Sequence, residues 1–374
     1  MADAVGASRY ELTREELSDA LVGEPRYRLD QVWEGLYTHL ADPADITNLP
    51  KALRNRLETS FPLALTPVTE SVNAKGDTIK FLWELDGGSR IETVLMLYPE
   101  RATVCVSSQA GCAMACGFCA TGQAGFTRHL TTGEMVEQVV RAAQRAGSSG
   151  RRVSNVVFMG MGEPMANLDP VWAAVERIHG DVGLSARHIT ISTVGLIPGI
   201  RRLADLPLPV NLAVSLHAAN DQLRDELVPI NRRYPIDELL EACTDYLAVK
   251  SRRVSFEWAM IDGVNDRDSD AEELADLCDR LRPRGHVNLI PLNPTPGYPT
   301  KGSPLRRVHQ FRDRLEQLGT NATVRQNRGT EIDAACGQLA AGQPVTLGRR
   351  EELGAQQPAA RTDGVGLTAT PPPG

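Results

Sequence analysis

Three of the seven cysteines fall within the segment GCAMACGFCATG: Cys112, Cys116 and Cys119, spaced C-x3-C-x2-C. An odd cysteine count with such clustering reads as metal or redox chemistry rather than a disulfide framework. Soft thiolates on one short loop suit an iron–sulfur cluster or zinc. A structural zinc site normally draws four ligands from two spaced pairs, and this sequence holds no second pair. Three thiolates on a [4Fe–4S] cluster would leave one iron open to a further ligand. Glycines at 111, 117 and 122 suit a loop wrapped around a compact object. A second glycine-rich segment, GMGEP (160–164), lets backbone approach a ligand closely, although Gly-Glu-Pro also makes an ordinary turn. Cys243 lies on an apolar helix face and Cys278 at helical spacing from Leu274 and Leu281, so both are expected in the core.

These residues need a scaffold, and the sequence around them alternates strand and helix. Strand candidates are ATVCVSS (102–108), VSNVVFM (153–159), HITIST (188–193), PVNLAVSLH (209–217), RVSFEWAMI (253–261) and HVNLIPL (286–292). Helix candidates lie between them: 131–146, opened by a Thr131/Glu134 capping box; 235–249, with one apolar face; and 304–318, with Pro304 at its first position. Six β–α units imply a parallel sheet with right-handed crossovers. The count is too low for an eight-unit barrel, so an α/β partial (β/α)6 barrel is expected, with a doubly wound open sheet as the alternative. Loops after parallel strands sit where sites are built, and the thiol triplet directly follows the first such strand. Ahead of it, Thr13 with Glu16 caps the first of several short helices over 10–60. TIKFLWELD, the turn Asp86-Gly87-Gly88 and RIETVLML then predict a β-hairpin over 78–98.

Composition bounds the function class. The chain has 374 residues, 42% hydrophobic and 23% charged, which excludes a fully disordered protein. It holds no apolar run long enough to span a bilayer, and its N-terminus lacks the parts of a secretory leader, so no membrane partner and a cytoplasmic location are expected. A net charge of −7 gives no independent support for a nucleic-acid partner. Arginines do come in adjacent pairs, at 151–152, 201–202, 232–233, 252–253 and 306–307, and read as solvated surface or as phosphate contacts. The last residues, rich in Gln, Pro, Ala, Gly and Thr, are expected to form a disordered tail.

The C-x3-C-x-aromatic-C pattern, with Phe118 as the aromatic, resembles the signature of the radical S-adenosylmethionine (SAM) superfamily. That resemblance implies a [4Fe–4S] cluster on Cys112, Cys116 and Cys119, SAM on the open iron, and a (β/α)6 partial barrel. Residues 90–131, GMGEP and EIDAACGQL (331–339) are similar to the RNA adenine methyltransferases of the RlmN/Cfr family. The resemblance runs from about residue 10 to 343 and, together with the hairpin pattern and the composition of the tail, divides the chain into four expected parts. They are a helix-hairpin-helix-like, RNA-binding N-terminal domain over 1–75, a β-hairpin extension over 76–100, a radical SAM core over 101–342 and a tail over 343–374. It further implies radical methylation of C2 of adenosine 2503 in 23S rRNA and of adenosine 37 in tRNAs, with two SAM molecules per turnover. C2 lies between two ring nitrogens and is too electron-poor to attack a sulfonium, hence the radical. By the same resemblance Cys336 carries the methyl group, Glu92 accepts the C2 proton, and Cys105 resolves the RNA–protein adduct by forming a disulfide with Cys336. Gly162, Glu163, Ser192, Ser215, Leu216, His217 and Asn293 match SAM-binding positions. A reductant such as flavodoxin with its reductase and a monomeric state are also implied. C8 methylation of the same rRNA adenosine, the Cfr reaction, is the alternative.

Overall fold

The structure is a computed structural model and describes residues 8–342 apart from 251, 284 and 296. The expected tail over 343–374 lies outside the described residues.

Three helices open the chain: α1 (Arg14–Ala20), α2 (Tyr27–Tyr37) and α3 (Lys51–Ser60). The expected capping box starts α1: the Thr13 hydroxyl accepts from the Glu16 N–H while the Glu16 carboxylate accepts from the Thr13 N–H. Leu17, Val32, Leu36, Tyr37, Leu53 and Leu57 turn inward and merge with the main core. Each such burial contributes about 1.5–3 kcal/mol. Two polar ties fix the helices to the rest of the fold. Trp33 Nε1 donates to Asp181 Oδ1 at 2.9 Å, and Arg177 donates to the carbonyls of Tyr10 and Glu11.

An antiparallel meander comes next: β1 (Thr66–Val72), β2 (Thr78–Glu84), β3 (Arg90–Leu97) and β4 (Ala102–Cys105). The expected hairpin is thus the middle of a longer run. The helical stretch ends at Ser60, as the expected helices over 10–60 do, and Thr66–Val72, inside the expected N-terminal domain over 1–75, is a strand. Its TPVTESV sequence hides this because the strand lies on the sheet edge, almost wholly exposed, and has no alternation to show.

Around the thiol triplet lie β5 (Gln109–Gly111), α4 (Ala120–Ala124) and β6 (Phe126–His129), β5 and β6 forming a small ribbon. The repeat then runs α5 (Thr132–Gly147), β7 (Val153–Phe158), α6 (Leu168–Gly180), β8 (Ile189–Thr193), α7 (Ile197–Asp205) and β9 (Asn211–Ser215). It continues with α8 (Asp221–Leu227), α9 (Ile236–Lys250), β10 (Val254–Met260), α10 (Asp268–Asp279), β11 (His286–Pro291), α11 (Leu305–Gln317) and β12 (Ala322–Val324). Pro304 is the N-cap of α11 rather than its first helical residue.

Apart from the β5–β6 ribbon, the strands join one ten-stranded sheet, in the order β1-β2-β3-β4-β7-β8-β9-β10-β11-β12. From β4 onward every pairing is parallel and strictly sequential. A doubly wound sheet needs a reversal of strand order, and here there is none, so the partial-barrel expectation holds. After β12 the chain runs back across the sheet to its antiparallel end. Arg328 pairs with Asp77 at 3.1 Å and Lys80 donates to the Asp333 carbonyl at 3.3 Å.

Candidate active site

The thiol loop is shaped by its neighbours. Cys116 and Phe118 are buried in an apolar cluster with Ala218, Leu227, Val228 and Ile261. Phe118 meets the His217 ring edge-on at 4.7 Å. A Cβ on Gly122 would sit 2.9 Å from the Cys116 carbonyl oxygen, so only glycine lets α4 close on the loop. Burial pushes the Cys112 thiol up to about 12 and Cys116 well above the ordinary thiol range, and neighbouring thiols of the triplet add to both. Among the described residues no three His, Cys, Asp or Glu side chains converge tightly enough to hold a single metal ion. The donor set is all soft sulfur on one loop, which fits a thiolate-bound iron–sulfur cluster.

The residues matched to SAM positions gather at the C-terminal ends of the parallel strands. Gly162 has φ +100°, and a Cβ there would lie 2.5 Å from Gln109 Cβ. Glu163 is 2% exposed, its Oε1 accepting from Met165 N at 2.9 Å and its Oε2 from Val194 N at 2.8 Å. Burial raises it to about 7 against the pull of those amides. Ser192 is next to last in β8 and Ser215 closes β9; Leu216 N donates to the Glu257 carbonyl at 3.1 Å. His217 has φ +61°, and its Nδ1 accepts from Ala259 N at 3.0 Å, which leaves the ring proton on Nε2. Burial first, then the Arg224 charge, lowers it to about 3, so it stays neutral. Asn293 reaches the far segment: its Nδ2 donates to the Cys336 carbonyl at 3.0 Å.

Cys105 and Cys336, far apart in sequence, come into one another's field. Burial pushes the Cys105 thiol up to about 12, and Cys336 adds to the rise. Cys336 itself reaches the surface. Glu92 is 3% exposed and fully engaged. Its Oε1 pairs with Lys80 Nζ at 2.9 Å, and its Oε2 accepts from Ala340 N at 3.0 Å and Ala341 N at 3.2 Å. Glu92 therefore anchors the segment that carries Cys336.

Cys243 and Cys278 are buried in the core, as expected. Most of the arginine pairs are engaged internally: Arg151 donates to the Tyr98 carbonyl, Arg252 to Asn211 and Arg307 to Asp268. Sequence reasoning missed Lys80, Glu257 and the fully buried Arg224.

Residues 106–278 match the radical SAM superfamily, the class that this sheet and thiol loop define. A probable dual-specificity RNA methyltransferase RlmN of Salinispora tropica is 54% identical, over 86% of this chain and 88% of its own length. The Chloroflexus aurantiacus protein of the same description is 49% identical, over 92% of this chain and 95% of its own. A crystal structure of a radical SAM methyltransferase from Sphaerobacter thermophilus superposes with a TM-score of 0.86 at 53% identity, covering 90% of this chain and 99% of that one. The chain belongs to the RlmN family of radical SAM RNA methyltransferases. These relatives set the Cfr-type alternative aside. Among the described residues no helix is long and apolar enough to cross a membrane.

Proposed function

We propose that this enzyme methylates C2 of adenosine 2503 in 23S rRNA and of adenosine 37 in tRNAs, through a methyl group carried on Cys336. The observation that supports the reading is the packing of the Cys336 segment on the thiol loop and the strand ends: Ala120 N donates to the Gly337 carbonyl at 2.8 Å and Asn293 Nδ2 to the Cys336 carbonyl at 3.0 Å. Cys112, Cys116 and Cys119 would hold the [4Fe–4S] cluster, and the Glu163 carboxylate would face the SAM ammonium beside Gly162, Ser192, Ser215–His217 and Asn293. When bound, cluster and SAM supply the methyl group and the one-electron chemistry that an electron-poor ring carbon requires. Cys336 loses its thiol proton to accept the methyl group, and the carbon it then carries, after giving up one hydrogen atom to the radical that SAM would supply, forms the bond to C2. Glu92 then takes the C2 proton, once the amides of Ala340 and Ala341 release its Oε2. Cys105 attacks the Cys336 sulfur and frees the methylated RNA as the disulfide forms. The adenine must be unstacked to enter. A low-potential flavodoxin-type donor, a monomeric state and a cytoplasmic location complete the proposal.

The test is anaerobic incubation with methyl-labelled SAM and fragments of 23S rRNA and tRNA, followed by mass mapping of the product adenosine. Released RNA labelled at C2 is expected with the wild type and not with Cys336→Ala, whereas Cys105→Ala should hold the label in a covalent RNA–protein adduct. Label at another ring position, or undiminished transfer by Cys336→Ala, refutes the proposal.

A further inference from the structure

Arg224, on α8, is wholly buried, and its guanidinium spans the loop ends that build the site. Nε donates to the Leu216 carbonyl at 3.1 Å, and Nη2 to the carbonyls of Val194 at 2.7 Å and Ser215 at 3.3 Å. Nη1 donates to Asn231 Oδ1 at 2.6 Å. All four acceptors are neutral. Counter-charge comes at one remove, since Asn231 Nδ2 donates to Asp221 and Asp225 at 2.9 and 2.7 Å. A buried cation is costly without a direct partner, so this arrangement keeps a positive charge where packing alone would not. Two features lie on either side of it. Val194, whose carbonyl accepts from Arg224, also donates through its N–H to Glu163 Oε2. Leu223 and Leu227 of the same helix pack in the apolar cluster that contains Cys116.

We propose that Arg224 is a positioning residue with two effects: its fork braces the ends of β8 and β9 around the SAM site, and its fixed charge behind Cys116 favours the reduced cluster. This rests on the radical SAM reading of the site. Reduction adds one electron, from an external low-potential reductant, to a centre already bound by thiolates; a nearby cation stabilises that added negative charge. Burial lowers Arg224 to about 10, so it remains a cation at neutral pH.

The experiment uses full-length protein reconstituted anaerobically with iron and sulfide. Its readouts are iron content, midpoint potential by dithionite titration under electron paramagnetic resonance, and SAM dissociation constant. Arg224→Gln is expected to shift the potential to more negative values and to weaken SAM by roughly 10–100-fold, the usual effect of losing an outer-shell partner. Arg224→Lys keeps the charge but cannot fork, so the potential stays near wild type while SAM binding weakens alike. Asp225→Asn removes counter-charge and leaves Arg224 in place, so the potential moves upward. Wild-type potential and SAM affinity in the Arg224 variants, with only the melting temperature lowered, would overturn the proposal. Should neither Arg224 variant fold, an unmoved potential in Asp225→Asn overturns the charge effect. A wild type that forms no cluster would instead defeat the family reading beneath it.

Discussion

Glu92→Ala is expected to release the segment that carries Cys336 without unfolding the sheet. The carboxylate accepts from Ala340 N at 3.0 Å and Ala341 N at 3.2 Å. Hydrogen bonds to a charged group contribute about 1.5–3 kcal/mol each, so the two together set an upper limit of about 3–6 kcal/mol. The freed amides turn to water and recover part of this, leaving about 2–3 kcal/mol, or roughly 30–150-fold in the local opening equilibrium. Hydrogen exchange resolved to peptides over 334–342 reads this directly, with β7 and β8 as internal controls that should not change. Glu92→Gln keeps one acceptor of the same shape and should fall between. The same bonds bear on the proposed chemistry: the Oε2 that would take the C2 proton must first leave the amides of Ala340 and Ala341, so anchor and proposed base would be alternative states of one carboxylate. Under turnover, Glu92→Gln should therefore retain the cluster and SAM cleavage yet accumulate an RNA–protein adduct. Unchanged exchange at Ala340 and Ala341 in Glu92→Ala would refute the anchoring role.

Other groups give further expected outcomes. Gly122→Ala should fold but bind markedly less iron, because its Cβ would lie 2.9 Å from the Cys116 carbonyl oxygen; full iron content after reconstitution would contradict this. Cys116→Ala should lose the brown colour and most of the roughly four irons that the wild type holds, by the cluster reading. Glu137, wholly buried on α5, accepts from Ala64 N at 2.8 Å and Leu65 N at 3.1 Å, yet burial wins and raises it to about 7. A raised carboxyl favours the native state when protonated. Its contribution is full below the unfolded value of 4.5 and is lost as pH rises through about 7. Relative to Glu137→Gln, wild-type stability should thus fall by up to about 3 kcal/mol between pH 5 and 8; parallel melting profiles would exclude it.

Much of the scaffold could be read from periodicity because it is governed by local rules. The parallel strands are short apolar runs between capped amphipathic helices, and Thr131 with Glu134 starts α5 as expected. The thiol loop was legible because its donors are neighbours in sequence. What stayed hidden depends on register and return paths. Lys80 faces Val94 and Glu92 faces Leu82, so the Lys80–Glu92 pair is a diagonal across two strands. Such a pair appears only once the turn at Asp86–Gly88 sets the register. Arg224 sits in DQLRDEL, whose charges read as a solvated helix; only the approach of the strand ends shows that it is buried. β12 is too short at Ala322–Val324 to carry a pattern.

The last stretch of described chain, from residue 325, crosses to β2 and β3 and brings Cys336 with it. A product cut short just after β12 would retain every strand of the described residues, the thiol loop and Glu163, yet lack the sulfur proposed to receive a methyl group. Its Glu92 would also lose the two amides that occupy it. During synthesis the scaffold is therefore laid down first and armed last, and under the proposed mechanism a truncated copy could not catalyse the reaction.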